Sequence, residues 1–168
     1  MLRRVFLILS PWMLLAGAAG GIRWTPPKSW KAQPERPMRA ATYTVPAAPG
    51  DAEPGECAVF YFGPGQGGGV DENIRRWIGQ FSAVDGKPAT RAASVRGMKV
   101  THIDVSGSYA GMGGPMAPAR TPKPGYRLLG AIIEGPEGAV FFKLTGPAKT
   151  VAAARAEFEA MIESAAKG

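Results

Sequence analysis

Tyr126-Arg127-Leu128-Leu129-Gly130-Ala131-Ile132-Ile133, then Glu134-Gly135-Pro136-Glu137-Gly138, then Ala139-Val140-Phe141-Phe142-Lys143-Leu144-Thr145 is the stretch that decides the fold. Two runs rich in apolar, β-branched and aromatic residues flank a short Gly/Pro turn, which is the pattern of a β-hairpin with strands at 126–133 and 139–145. Gly146-Pro147 follows and opens a C-terminal helix, strongest from Val151 to Ala165. Val151, Ala154, Phe158, Met161, Ile162 and Ala165 recur at helical spacing and form one apolar face, so this helix needs a sheet to lie on.

Working outward, 38–45 and 56–62 read as strands separated by a loop from Ala47 to Gly55. A glycine loop, Gly63 to Gly69, leads into a second helix, Asp71 to Phe81, with Asp71 as its cap and Glu72 in the favourable first turn. Ile74, Trp77, Ile78 and Phe81 make its inward stripe, while Arg75, Arg76 and Gln80 fall on the other side. Two further strands, near 90–96 and 98–106, join tightly at Gly97. Strands with one helix among them and one at the end imply an α+β domain: an antiparallel sheet packed with two amphipathic helices. The expected division is a leader at 1–22, a proline-rich lead-in at 23–37 pinned by Trp24 and Trp30, and one domain at 38–168.

The hairpin, with Val140-Phe141-Phe142-Lys143-Leu144-Thr145-Gly146-Pro147 and the helix ending Phe158-Glu159-Ala160-Met161-Ile162-Glu163-Ser164, resembles the PsbP-like fold. That resemblance implies an αβα sandwich. Its members include an extrinsic accessory protein of photosystem II and an import factor that binds the GTPase Ran, both non-catalytic binders. Trp24 to Ala166 is more closely similar to exported bacterial proteins of unknown function, which share the paired tryptophans, Met38-Arg39-x-Ala41 and a glycine loop before a Trp-containing helix. No functional motif of either group matches residue by residue, so no site is carried over.

The start of the chain points to export. Arg3 and Arg4 precede an apolar run from Val5 to Ile22, broken only by Ser10 and Pro11, with small residues at Ala16 to Gly21. A charged start, an apolar middle and Ala16-x-Ala18 form a secretory signal pattern, with cleavage expected after Ala18 or shortly beyond. The run is also long enough for an uncleaved membrane tether through residues 5–22. Leu15-Ala16-Gly17-Ala18 lacks the cysteine that lipidation requires. Arg3-Arg4-Val5-Phe6-Leu7 matches a twin-arginine pattern, although the short segment before it favours the general secretory route. The expected location is therefore extracytoplasmic, periplasmic or secreted.

Composition narrows the partners. The chain has 20 Lys+Arg against 13 Asp+Glu, and without Arg3 and Arg4 the balance is 18 against 13, about +5. These cations are spread along the chain, and export removes nucleic acid as a partner, leaving a protein or an envelope component. Cys57 is the only cysteine, set in a strand pattern that suits a buried, inert thiol. One Cys and one His, His102, are too few for a zinc site, and no metal or other cofactor is expected. Gly63-Pro64-Gly65-Gln66-Gly67-Gly68 spells a nucleotide-loop pattern, but Pro64 removes a donor and Asp71-Glu72 would repel phosphate, so a tight turn is the better reading.

Two loop features stand out as candidate binding sites. Ser106 to Gly125 holds five glycines and four prolines with no acid, and displays Tyr109, Met112 and Met116 on a segment expected to be irregular. The glycine loop offers Gln66, with Arg75 and Arg76 beyond it. The expectation is an exported, non-catalytic binding domain with no catalytic residues assigned. Two alternatives remain: a small hydrolase or lyase using His102 and Asp104, which share a strand face, and a Cu(I)-handling protein using Met112 and Met116 with Met98 and His102.

Overall fold

Alternation along the central hairpin organises everything else. The computed structural model describes residues 16–111 and 121–168. In chain order its elements are β1 (Gly17–Ala19), β2 (Ile22–Trp24), β3 (Lys31–Ala32), β4 (Ala41–Val45), β5 (Gly55–Phe60), α1 (Val70–Ile78), β6 (Phe81–Val84), β7 (Ala89–Val95), β8 (Met98–Tyr109), β9 (Lys123–Gly135), β10 (Gly138–Pro147), α2 (Ala148–Glu163) and β11 (Ala166–Lys167). The large sheet runs β3-β4-β5-β10-β9-β8-β6, with β7 also on the free edge of β8, and every pair is antiparallel. The expected hairpin is its centre, with Gly135 opposite Gly138 around a two-residue turn.

Because side chains alternate, the sheet buries two separate apolar groups. Leu129, Ala131 and Ile133 of β9 join Val140, Phe142 and Leu144 of β10 beneath Val151, Phe158 and Ile162 of α2. Leu128, Ile132 and Phe141 instead join Ile74 and Trp77 of α1 with Phe81, Ile103 and Val105. Both helices thus pack on the same sheet, one on each face.

α2 follows its expected stripe, with Val151, Ala154, Phe158, Met161 and Ile162 all buried. Its ends are held from outside the helix. Asp51 Oδ2 accepts from the Thr150 amide at 3.1 Å and from Thr150 Oγ1 at 2.7 Å, taking up free donors of the first turn. Arg96 donates to the carbonyls of Glu163 at 2.5 Å and Ala165 at 2.9 Å, so the β7–β8 turn caps the other end. Arg96 and Gly97 both have positive φ, 44° and 78°, the backbone demanded by a tight two-residue hairpin turn.

α1 is shorter than expected. It stops at Ile78, and Phe81 is the first residue of β6, because the Gln80 carbonyl accepts from the amides of Ala110 and Gly111 and draws the chain to the end of β8. Phe81 still points into the same apolar group. Asp71 does not cap α1; Gly69 occupies the cap position, and Asn73 Nδ2 reaches back to the carbonyls of Gly67 and Gly69 at 2.7 and 2.9 Å.

The loop expected from Ser106 to Gly125 is partly sheet. β8 continues to Tyr109 and β9 begins at Lys123, with Tyr109 opposite Lys123. Tyr109 is therefore a strand residue and not a loop residue, and Met112 and Met116 lie outside the described residues.

A second, three-stranded sheet, β1-β2-β11, brings residues 17–24 into the fold. Ile22 and Trp24 are each 1% exposed. Trp24 meets Phe142 edge-on at 5.1 Å and donates to Tyr43 Oη at 3.0 Å. Gly17 lies so close that a Cβ there would stand 2.0 Å from the Trp24 ring. The structured part thus includes the last residues of the expected leader as well as the lead-in. A chain beginning at Arg23 is expected to be about 2–3 kcal/mol less stable than one beginning at Ala19, from loss of buried Ile22, as urea unfolding would measure.

Candidate functional site

Lys143 is the anomaly from which the site is built. It sits in the middle of β10, facing the α1 side, and is 7% exposed. Its partners across the sheet are Ala58 on β5, whose small side chain lines the same cleft, and Gly130 on β9, over which the Trp77 ring lies. Nζ donates to Gln80 Oε1 and to Tyr109 Oη, the latter at 3.0 Å, and stands 5.5 Å from the Tyr109 ring centre. Burial, with repulsion from Arg39 and only Glu56 opposing, lowers its ammonium pKa to about 8.

Around Lys143 opens a cleft of about 440 Å³ lined by Met38, Arg39, Glu56, Phe60, Phe62 and Tyr109 among others. A neighbouring space of about 320 Å³ shares Met38, Phe60, Phe62 and Lys143 and extends to Asn73, Arg76 and Trp77 of α1. These volumes fall in the range of small-molecule sites. Arg39 donates to Glu56 at 2.9 Å and lies 5.5 Å over the Phe60 ring, which stacks on Phe62 at 6.2 Å. Gly67, at φ 92°, lies against this wall: a Cβ there would be 2.6 Å from the Phe62 ring. The glycine loop is thus a tight turn backing the cleft. Met38 on the rim has φ 66°, a left-handed conformation that a methionine adopts only under constraint.

The opposite face holds a pocket of about 150 Å³ lined by His102, Asp104, Arg91, Arg155 and Glu159 among others, and an adjoining space of about 390 Å³ that shares Arg91, His102 and Glu159. His102 and Asp104 do share a face. Asp104 is already engaged, accepting from Arg127 Nε and an Arg127 terminal nitrogen at 2.9 and 2.6 Å and from Arg155 at 3.3 Å. His102 has no hydrogen bond among the described residues, and burial together with Arg91 lowers its pKa. Asp104 therefore does not orient His102, and Glu159 acts on it through its charge alone among the described residues. Cys57 is fully buried in the α2-side core, where burial pushes its thiol pKa up.

The structure disperses the other expected site residues. Tyr109 belongs to the Lys143 cleft and also stacks on Tyr126 at 5.9 Å. Arg76 borders the cleft, donating to Glu72 at 3.2 Å and Asn73 at 3.0 Å. Arg75 and Gln66 are exposed, Gln66 in the turn closed by its own amide on the Gly63 carbonyl at 3.1 Å. Lys143, Arg39, Glu56, Gln80 and the Phe60–Phe62 pair were absent from the expected site. The available signal was Lys143 itself, one cation inside the apolar run Val140-Phe141-Phe142-Lys143-Leu144. Among the described residues no group of three His, Cys, Asp or Glu side chains could hold a metal ion. No helix among them is long and apolar enough to cross a membrane.

No family model and no curated protein matches the chain. Solved structures do. The solution structure of cyanobacterial PsbP (CyanoP) from Synechocystis sp. PCC 6803 superposes with a TM-score of 0.55 at 10% identity, covering 89% of this chain and 88% of that one. The crystal structure of PA94, a protein of unknown function from Pseudomonas aeruginosa, superposes with a TM-score of 0.51 at 12% identity, covering 84% and 88%. The chain therefore has the PsbP-like fold.

Proposed function

We propose that this chain is an exported, non-catalytic binding domain, a helix–sheet–helix module of PsbP-like fold, whose partner is an envelope component that seats in the Lys143 cleft. One observation carries this reading. Met38, 74% exposed, and Phe62, 36% exposed, are the large apolar side chains left in solvent among the described residues, and both stand on the rim of that cleft. Exposed apolar groups gathered at one concavity mark an interaction site, whereas scattered ones do not. The charged leader pattern at Arg3 and Arg4 supports export, and the engagement of Asp104 by two arginines speaks against the hydrolase alternative.

Met38→Asp should leave stability within about 0.5 kcal/mol of wild type, since the side chain is largely exposed, whereas Phe62→Ser, which also loses ring contacts with Phe60 and Phe141, should cost about 1–2 kcal/mol and leave the domain folded. Each is expected to abolish retention of envelope components on the immobilised domain, while His102→Ala retains them. Loss of retention with His102→Ala and not with the rim variants would move the function to the other face.

A further inference from the structure

The charge balance of the cleft points to a ligand class. Lys143 is a buried cation whose hydrogen-bond acceptors, Gln80 Oε1 and Tyr109 Oη, are both neutral. The carboxylate lining the cleft, Glu56, is taken by Arg39 at 2.9 Å and faces Arg36 at 3.6 Å. No carboxylate among the described residues forms an ion pair with Lys143, and residues 1–15 and 112–120 contain no Asp or Glu. A buried ammonium without a counter-charge is costly, and the cost is relieved when an anion arrives.

Beside it is a second unfilled group. Gln80 is 5% exposed, and its Nε2 has no hydrogen-bond partner among the described residues. Because Gln80 Oε1 already accepts from Lys143, the carboxamide cannot be turned round without setting N–H groups against the ammonium. An ammonium lacking an anion and an amide N–H lacking an acceptor therefore sit on adjoining groups. Of the two, Lys143 lines the cleft, and a carboxylate entering there supplies the missing charge. An inorganic phosphate also brings anionic oxygens, but it has no apolar body to set against Phe60, Phe62 and Trp77. The walls are apolar and aromatic.

We propose, building on the binding role above, that the cleft takes a small monocarboxylate with an apolar body, its carboxylate at Lys143 and its body against Phe60, Phe62 and Trp77. The other charged or titratable groups facing Lys143 are Arg39 before β4, Glu56 on β5, Tyr109 on β8 and Arg76 on α1.

The test is calorimetric titration of the full chain with decanoate, decan-1-ol and decyltrimethylammonium at pH 7. Decanoate should bind about 10–100-fold more tightly than decanol, and the cation should not bind. Lys143→Met should remove that preference while leaving decanol binding intact. On the wild-type chain, decanoate affinity should be constant between about pH 6 and 7, where the carboxylate is ionised and Lys143 protonated, and fall through pH 8 as Lys143 loses its proton. The Lys143 Cε resonance should titrate at a higher pH when decanoate is bound. Equal binding of decanoate and decanol, an unchanged preference in Lys143→Met, or no binding of decanoate each overturns the proposal. Those results leave the binding role standing if Met38→Asp still abolishes envelope retention, and that role falls on the Met38→Asp result alone.

Discussion

Phe158→Ala is expected to lower the stability of the domain by about 3–5 kcal/mol, the range for removing a large aromatic side chain from a packed core. Phe158 is 1% exposed in the third turn of α2 and belongs to the apolar group that includes Leu129, Ala131, Phe142 and Leu144. The neighbouring strands are fixed by their ladder and cannot collapse into the space left behind, so the cost should fall at the upper end. Urea unfolding followed by circular dichroism would measure it, with Ala153→Ser on the exposed face as a control expected within about 0.5 kcal/mol of wild type. A Phe158→Ala loss as small as the control's would mean that α2 does not lie on the sheet through this face.

The elements legible in the sequence were those whose apolar period is long enough to be distinctive. The β9–β10 hairpin and α2 each repeat their pattern over several residues, and both appear within a few residues of the expected limits. β1, β2, β3 and β11 are two or three residues long, too short for any period to show. Residues 17–22 add a further ambiguity, since Gly17-Ala18-Ala19 and Ile22 suit the end of an export leader as well as a hairpin. Only the contact of Trp24 with Gly17 and Phe142 distinguishes them, and that contact depends on tertiary placement. The cleft was hidden for the same reason. Lys143 was visible as a polar interruption, but its cross-strand neighbours, Ala58 and Gly130, are set only by the strand register. Gln80 and Tyr109 reach it from 63 and 34 positions away.

Trp77→Ala should be comparably destructive, at about 3–5 kcal/mol, but with a different signature. α1 has nine residues, too few to be stable alone, and it is held to the sheet chiefly by Ile74 and Trp77. Trp77 is 5% exposed and meets Phe141 edge-on at 6.5 Å. Its six-membered ring occupies the space above Gly130, where a Cβ would stand 2.4 Å from Trp77 Cζ3. The absence of a side chain at Gly130 is thus what lets Trp77 seat. Removing the indole should unfasten α1 before the sheet unfolds, so amide exchange in Val70–Ile78 should accelerate well beyond that in β9 and β10. The same geometry fixes the sign of a double-mutant cycle. Gly130→Ala alone should destabilise by collision with Trp77, and in the Trp77→Ala background it should cost less, because the methyl enters vacated space. Additive costs across that cycle would show that Trp77 and Gly130 do not meet, and α1 would then need a different seat on the sheet.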